Sequence, residues 1–498
     1  MKVLIIGGTG LIGDATVVSL LRRGHTVRLV SRHADNDIRK WPQGVEAHKG
    51  DVSDPRTLSG AALGCDAVIH VAGIVAERPP EVTFEKVNVE GTQHVIEECQ
   101  RSGAVRLIFI SSLGADRGRS PYHQSKMKAE DLVRASGLDW TVVRPGNVYG
   151  PGDAVISALL KMVRTLPIIP VIDDGNQKFQ PIWCEDLGEG LAVVAERSDL
   201  SHETLELAGD DLTSMNDLLE HFSRITERSP FTLSLPTAVA SIATRFASAT
   251  GVTMPIDDSQ LTMLREENYI RGSSENSLVT RLAITPTPLA EGLARLADAA
   301  PEQLPAEGID GLKVKRFWAD IAGSEMSAAQ IFNLFRSRCN DIMPLEFNAE
   351  NRLQPGLLCE GDTLTAELPF RGNIQMRVVE VDELTLTFST LQGHPLAGIV
   401  RFAVEQMSTG LRFAVETYSR SADLFDAIAM KTVGGVLQDR NWKAVVTRVV
   451  ELSGGQAGSG VQQHSASLRG DEAERVESWI ETMIIDRQRD VNIAAISA

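Results

Sequence analysis

The sequence predicts a mixed α/β protein: a doubly wound parallel sheet in its N-terminal part, then an α+β unit built on an antiparallel sheet. Three observations carry this. Short apolar runs alternate with helical stretches from residue 1 to about 150. The first of these runs ends in a glycine-rich turn. Beyond residue 312 the pattern becomes strict alternation, as in Leu384-Thr385-Leu386-Thr387-Phe388 and Leu411-Arg412-Phe413-Ala414-Val415. Continuously apolar strands fit a sheet covered on both faces, whereas a period of two fits a sheet buried on one face.

Taken in order, Lys2 to Ile6 is the first strand and Asp14 to Arg23 the first helix, with Val17, Val18, Leu20 and Leu21 as its apolar positions. Between them runs Gly7-Gly8-Thr9-Gly10-Leu11-Ile12-Gly13. Strand, glycine turn and helix together hold a dinucleotide pyrophosphate. The glycines let backbone approach the phosphates, and the helix start offers free N–H groups and a positive dipole end. Further strands are expected at Thr26–Val30, Val45–Lys49, Ala67–Val71, Arg106–Ile110 and from Thr141. The clearest helices run from Thr83 to Arg101 and from Ser120 to Ser136. In such a sheet, ligands bind at the carboxyl ends of the strands.

From Gly150 to about 300 the pattern is less regular and punctuated by Pro167, Pro170, Pro181, Pro230, Pro236 and Pro255. This stretch is expected to form a smaller lobe closing over the nicotinamide end. Within 234–254 an apolar face of Leu235, Val239, Ile242, Ala243 and Phe246 reads as a helix packed on that lobe. Residues 301–311 have linker composition. A second unit is expected over 312–452: a helix at Ser327–Cys339, alternating strands, then helical spacing from Asp423 to Val450, with Phe425, Ile428, Ala429 and Val433 among its apolar positions. Helix, curved antiparallel sheet and long helix is a helix-grip order, which tends to enclose an apolar pocket. Trp318, Phe332, Phe388 and Phe413 read as its core, and His394, between Gly393 and Pro395, as a turn residue. In 453–498, Gly454–Ser467 reads as mobile by composition. A last amphipathic helix follows over Asp471–Asp486, with Val476, Trp479, Ile480 and Met483 on one face.

The chemistry concentrates after the strand Arg106–Ile110. It ends in Ser111-Ser112, and ten residues after Ser112 comes Tyr122-His123-Gln124-Ser125-Lys126. Tyr122 and Lys126 are four apart, so a helix puts them on one face. An ammonium there favours the phenolate and suits the phenol to proton exchange. Ser112 would hydrogen-bond a substrate oxygen, and Lys126 would also hold the nicotinamide ribose. At the end of the second strand stand Ser31 and Arg32, with no acid until Asp35. A cation there favours a ribose 2′-phosphate, so NADP(H) is expected ahead of NAD(H).

Taken together these residues resemble short-chain dehydrogenase/reductases of the extended and atypical branches, whose N-terminal fold is the Rossmann sheet. Gly7-x-x-Gly10-x-x-Gly13 and the set Ser112, Tyr122 and Lys126 match the motifs of that family. The resemblance implies further roles. Asp51 and Val52 would contact adenine, and Val71-Ala72-Gly73 would lie beside the adenine ribose. Asn88 would be the helix asparagine of the catalytic set. Pro145, Asn147 and Val148, within Arg144-Pro145-Gly146-Asn147-Val148-Tyr149-Gly150-Pro151, would line the cofactor. Leu205-Glu206-Leu207-Ala208-Gly209 and Ile284-Thr285-Pro286-Thr287-Pro288-Leu289 are similar to the subgroup related to the complex I 39-kDa-type subunit. Residues 312–452 resemble START-like helix-grip domains of an uncharacterised bacterial family, on Leu391-Gln392-Gly393-His394-Pro395 and Tyr418-Ser419-Arg420.

Composition sets the outer bounds. With 498 residues, two or three domains are expected. A formal charge of -17 argues against a nucleic-acid partner. No apolar run is long enough for a membrane span, and the five cysteines lack Cys-x-x-Cys spacing. The ten histidines lack ligand spacing, so no metal site is expected. A cytoplasmic protein with a small-molecule substrate follows. Two readings stay open: an NADP(H)-dependent reductase or dehydrogenase with a fused unit holding an apolar substrate, and a non-catalytic NADPH-holding binding or assembly protein with a lipid- or quinone-binding unit.

Overall fold

The structure, a computed structural model, describes residues 1–104, 106–236, 266–272, 275–343, 356–368, 372–408, 410–422 and 435–497. Its N-terminal part is a seven-stranded parallel sheet. The strands β1 (Lys2–Ile6), β2 (Thr26–Ser31), β3 (Glu46–Lys49), β4 (Ala67–His70), β5 (Arg106–Ile110) and β6 (Asp139–Pro145) are joined by an edge strand, Glu203–Leu207. The spatial order is Glu203–Leu207, β6, β5, β4, β1, β2, β3. The order reverses at β1, which lies between β4 and β2. The crevice above that switch point is where such sheets bind ligands.

The central strands β1, β4 and β5 are largely apolar because both faces are covered. Val3, Ile5, Val27, Leu29, Ile69 and Ile108 face one layer, together with α1 (Leu11–Arg22) and the helix Cys184–Glu196. Leu4, Ile6, Val30, Val68, Leu107 and Phe109 face the other, against α2 (Gly91–Ser102) and α3 (Pro121–Ala135). Next in the chain comes a smaller core under helices Ile156–Thr165, Met215–Ile225 and Leu289–Asp298, built on Leu159, Leu160, Val163, Leu218, Phe222 and Leu293. Of the expected helix over 234–254, all but Leu235 and the two residues beside it lie outside the described residues.

The second sheet is antiparallel. Thr363–Leu368, Gly372–Val381, Thr385–Thr390, Leu396–Met407, Gly410–Ser421 and Ile309–Ala322 follow one another, and Gln456–Ala457 and Gln462–Leu468 both pair with Ile309–Ala322. Helices Ala328–Ser337 and Gly435–Leu452 cover one face. The first half of the expected Asp423–Val450 helix, including Phe425, Ile428, Ala429 and Val433, lies outside the described residues.

Several expectations are corrected here. The unit opens on the long strand Ile309–Ala322 rather than on a helix. Residues 301–308 are no free linker. Gln303 N–H donates to Thr390 O at 2.7 Å, Gln392 N–H donates to Pro301 O at 2.9 Å, and Glu302 is buried with Arg377 Nη1 at 2.9 Å and Arg487 beside it. Its partners are 75 and 185 residues away, too far for local composition to betray. The stretch read as mobile supplies a strand, with Gln462 opposite Trp318 and Leu468 opposite Leu312. Backbone pairing to a long edge strand does not depend on apolar side chains. Trp318 is not core. Phe317 takes the inward position, and Trp318 lies on the other face between the guanidinium groups of Arg316 and Arg412, at 5.6 and 5.7 Å.

The expected apolar pocket between helix and sheet is, among the described residues, filled by packed rings. Phe335 stacks on Phe402 at 4.6 Å, Phe388 and Trp442 meet the same ring edge-on at 5.9 and 5.8 Å, and Phe413 lies against Phe335. The last helix, Asp471–Ser497, is longer than expected and packs Val476, Trp479, Ile480 and Met483 on the opposite face of the sheet, against Val379 and Ile399. No helix among the described residues is long and apolar enough to cross a membrane.

Phe402 touches three other rings and is fully buried. Phe402→Ala is expected to destabilise this unit by about 3–5 kcal/mol. Chemical denaturation followed by tryptophan fluorescence checks this, and a loss under about 1 kcal/mol would mean the rings are loosely packed.

Candidate functional site

The candidate site lies where β1, β4, β5 and β6 end. Gly7 has φ +88°, and a Cβ there would stand 2.7 Å from Ala72 N. Gly13 is bound just as tightly, its virtual Cβ 2.5 Å from Gly7 O and Gly8 Cα. The strand end and the start of α1 can therefore touch only through glycines. A Cβ on Gly10, by contrast, would meet nothing closer than Gly7 O at 3.9 Å. Gly10 caps the start of α1, next to Thr9 and followed by Leu11 and Ile12, and the first N–H groups of a helix have no partner within it. The turn is shaped for an anion.

Around it, Val71 and Ala72 both donate their N–H to Ile6 O, at 2.9 and 2.8 Å, which closes the end of β4 over β1. A Cβ on Gly73 would sit 3.1 Å from Lys126 Nζ and 3.2 Å from Asn88 Oδ1. Asn88 is buried. It accepts from Ile74 N–H at 2.8 Å and donates to Ile74 O and to Ser125 Oγ, at 3.1 and 2.9 Å. Asp51 Oδ1 accepts from Ser53 N–H at 2.8 Å, and Val52 is buried with its carbonyl 2.7 Å from His94 Nδ1. Pro145 O accepts from Leu113 N–H at 2.8 Å, Asn147 O from Ile182 N–H at 3.0 Å, and Val148 pairs with Ile182.

Ser112, Tyr122 and Lys126 are all buried, the last two on α3, and their electrostatics differ from expectation. The Ser112 hydroxyl favours the phenolate of Tyr122. Burial nevertheless pushes the phenol above its ordinary value, the Ser112 hydroxyl offsetting only part of this. Lys126 does not lower it. Its ammonium donates to Ile110 O at 2.8 Å and lies 5.2 Å from the Phe109 ring centre. Burial brings Lys126 itself down to about 8, against the pull of Glu130. Thus the buried ammonium is the group that titrates near neutrality, and the phenol stays protonated there.

At the end of β2, Ser31 Oγ donates to Asp37 at 2.5 Å. Asp37 was missed in sequence because the turn that brings it back is not visible there, and it takes up the hydroxyl expected to serve a 2′-phosphate. Arg32 is exposed and makes no ion pair among the described residues.

Two further groups were not foreseen. Glu130, one turn beyond Lys126 on α3, is fully buried. It accepts from Ser111 Oγ at 2.6 Å, Arg144 Nε at 2.9 Å and Nη2 at 2.8 Å, and Arg134 Nη2 at 2.6 Å. Burial would raise this carboxyl, but Arg144, Ser111 and Arg134 together hold it below the usual range. The spacing 122, 126, 130 was the available signal. Glu266 accepts from Ser120 N–H at 3.0 Å and meets His123 Nδ1 at 2.6 Å, tying the segment 266–270 to the start of α3. The His123 ring packs on Gly118 in the loop between Ser112 and Tyr122, where a Cβ would stand 2.4 Å from Nδ1.

Residues 3–208 match the model of the NAD dependent epimerase/dehydratase family, and residues 341–448 match a domain of unknown function, DUF1990. The chain is 31% identical over 236 residues to the ceramide reductase of Caulobacter vibrioides, covering 47% of this chain and 73% of that protein. It is 28% identical over 208 residues to the 2-alkyl-3-oxoalkanoate reductase of Stenotrophomonas maltophilia, covering 37% and 62%. Among solved structures it is similar to MoeE5 in complex with UDP-glucose and NAD, at 23% identity and a TM-score of 0.46, over 60% of this chain and 98% of that one.

Removing the Glu130 carboxylate would leave Arg144 buried without its main partner. Glu130→Ala is expected to cost about 3–5 kcal/mol. Denaturant unfolding measures it, and a cost under about 1 kcal/mol would mean that α3 is held by its apolar contacts alone.

Proposed function

Since the chain belongs to the NAD dependent epimerase/dehydratase family, we propose that it is an NADP(H)-dependent oxidoreductase that interconverts a ketone and an alcohol on a small molecule bearing an apolar chain. One observation carries the reading. Lys126 and Asn88 both meet Gly73, just beyond the end of β4, with Tyr122 on the same helix as Lys126 and Ser112 acting on its phenol. The apolar chain is supported by the two relatives named as reductases of ceramide and of 2-alkyl-3-oxoalkanoates. The resemblance to the complex I 39-kDa-type subgroup favours instead the second reading, a protein that holds NADPH without turning it over.

NADPH, when bound, supplies a hydride to the carbonyl carbon. The remaining steps belong to the chain. The N–H groups at the start of α1, after the turn of Gly7, Gly10 and Gly13, would hold the pyrophosphate. Asp51 and Val52 border the adenine, and Arg32 pairs with the 2′-phosphate. Lys126 donates to the nicotinamide ribose. Ser112 donates to the substrate oxygen, and Tyr122 delivers the proton that the oxygen gains. A phenol kept protonated by burial is loaded for this donation.

NADP(H) is expected to bind in preference to NAD(H), on the strength of Arg32. Arg32→Glu should weaken NADPH by about ten- to a hundredfold, the loss of one charge-assisted contact, and NADH far less. Fluorescence titration of both nucleotides reads this. A wild type that prefers NADH refutes the assignment and points to Asp37 as the group that reads the ribose.

Tyr122→Phe should keep nucleotide binding and lower turnover of long-chain ketones by about 10²–10⁴-fold. Undiminished turnover in this variant removes the role. Lys126 adds a pH signature. Its folded-state value lies below its ordinary one, so the ammonium is present below about 8 and is lost above it. NADPH affinity is therefore expected to fall as pH rises through about 8, and a dissociation constant flat through that range would detach Lys126 from the ribose.

A further inference from the structure

The segment after β2 is held from outside the parallel sheet. It runs from Arg32 through a single helical turn, Ala34–Asp37, to a 3-10 turn, Ile38–Lys40. Its far end meets the C-terminal helix Asp471–Ser497. Arg39 Nη2 donates to Thr482 Oγ1 at 3.0 Å, and Asn492 Nδ2 donates to Lys40 O at 2.8 Å. These contacts join residues 443 and 452 positions apart. Lys40 Nζ in turn reaches Asp14, in the first turn of α1, at 2.6 Å. A chain of polar contacts thus runs from the last helix, through Arg39 and Lys40 of the segment after β2, to the first turn of α1.

The last helix is itself rigidly anchored. Midway between Thr482 and Asn492, Arg487 pairs with the buried Glu302, which also accepts from Arg377 Nη1 of the antiparallel sheet at 2.9 Å. One turn further back, Ile480 and Ile484 are buried against Val379 and Ile399. The helix cannot shift without moving a buried ion cluster, so its grip on residues 39 and 40 is well defined.

We infer that Thr482 and Asn492 of the C-terminal helix are positioning residues for cofactor selectivity: by holding Arg39 and Lys40 they set the segment that presents Arg32, so the fused unit tunes recognition of the ribose 2′-phosphate. This rests on the reading of that segment as the adenosine-ribose site. It gives the second unit a task that needs no pocket of its own.

The test uses the full chain carrying Thr482→Val and Asn492→Leu together. Titrations with NADPH and NADH are compared with wild type, and amide hydrogen exchange is followed over residues 33–40. The NADPH dissociation constant should rise about two- to tenfold, the effect of losing neutral hydrogen bonds, while that of NADH stays within about twofold. Exchange over 33–40 should accelerate. Thr482→Ser, which keeps the hydroxyl, should behave as wild type. Equal weakening of both nucleotides, or no change in either, overturns the inference while leaving the oxidoreductase reading intact. Should the double variant fold poorly, Arg39→Met probes the same contact from the loop side and must show the same selective loss. A wild type that binds neither nucleotide overturns both the inference and the reading beneath it.

Discussion

The buried carboxylate of Glu130 is the interaction on which the site depends. It sits on α3 and is bonded at once to Ser111, at the end of β5, and to Arg144, on β6. Arg144 continues to Asp116, in the loop between Ser112 and Tyr122, at 2.6 Å. One charge therefore fixes a helix, two strands and a loop in a single register. A buried pair of this kind adds little net stability, because desolvation offsets most of its attraction. Its effect is geometric: Tyr122 and Lys126 project from the same helix, Ser112 follows Ser111, and Pro145 follows Arg144. Apolar packing of Ala129 and Val133 beneath α3 would tolerate small slides. A carboxylate with four donors does not.

Burial sets the chemistry of this arrangement. The parallel sheet is covered on both faces, so the strand ends that carry the polar groups are poor in water. There the phenol of Tyr122 rises and the ammonium of Lys126 falls. The His70 imidazole, fully buried just before Val71, is held down to about 3 by burial and by Lys126, and so stays neutral. A neutral neighbour leaves Lys126 as the cation facing Gly73, which suits a group that must hold a ribose without competing charge.

The two sheets are joined by specific polar contacts. Glu302 stands at the junction, bonded to a strand of the second sheet and to the last helix. That helix packs its apolar face on the second sheet and its polar contacts on the turn after β2. The interior of the second sheet is occupied by aromatic rings among the described residues, so its contribution to the first lies in what it holds from outside.

The sequence by itself determined the parallel sheet and its ligand-binding edge. Apolar strands with glycines at Gly7 and Gly13 have few alternatives, because only a residue without Cβ allows the contacts made at those two positions. The placement of Ser112 after a strand end and of Tyr122 and Lys126 on one helix was equally legible, since strand end and helix spacing are local properties. What only the tertiary structure decided are the partners of those groups. Asp37 on Ser31, Glu130 with Arg144, Arg487 with Glu302 and Asn492 with Lys40 O span between 6 and 452 positions in sequence. So do the backbone partners that turn a Gly/Ser/Gln-rich stretch into the strand Gln462–Leu468. Charge and burial act through space, and composition along the chain carries no record of which distant group will neutralise which. The direction of the Tyr122 and Lys126 shifts followed from the same fact. Helix spacing predicted their proximity, but the loss of water around them, a property of the whole fold, decided the sign.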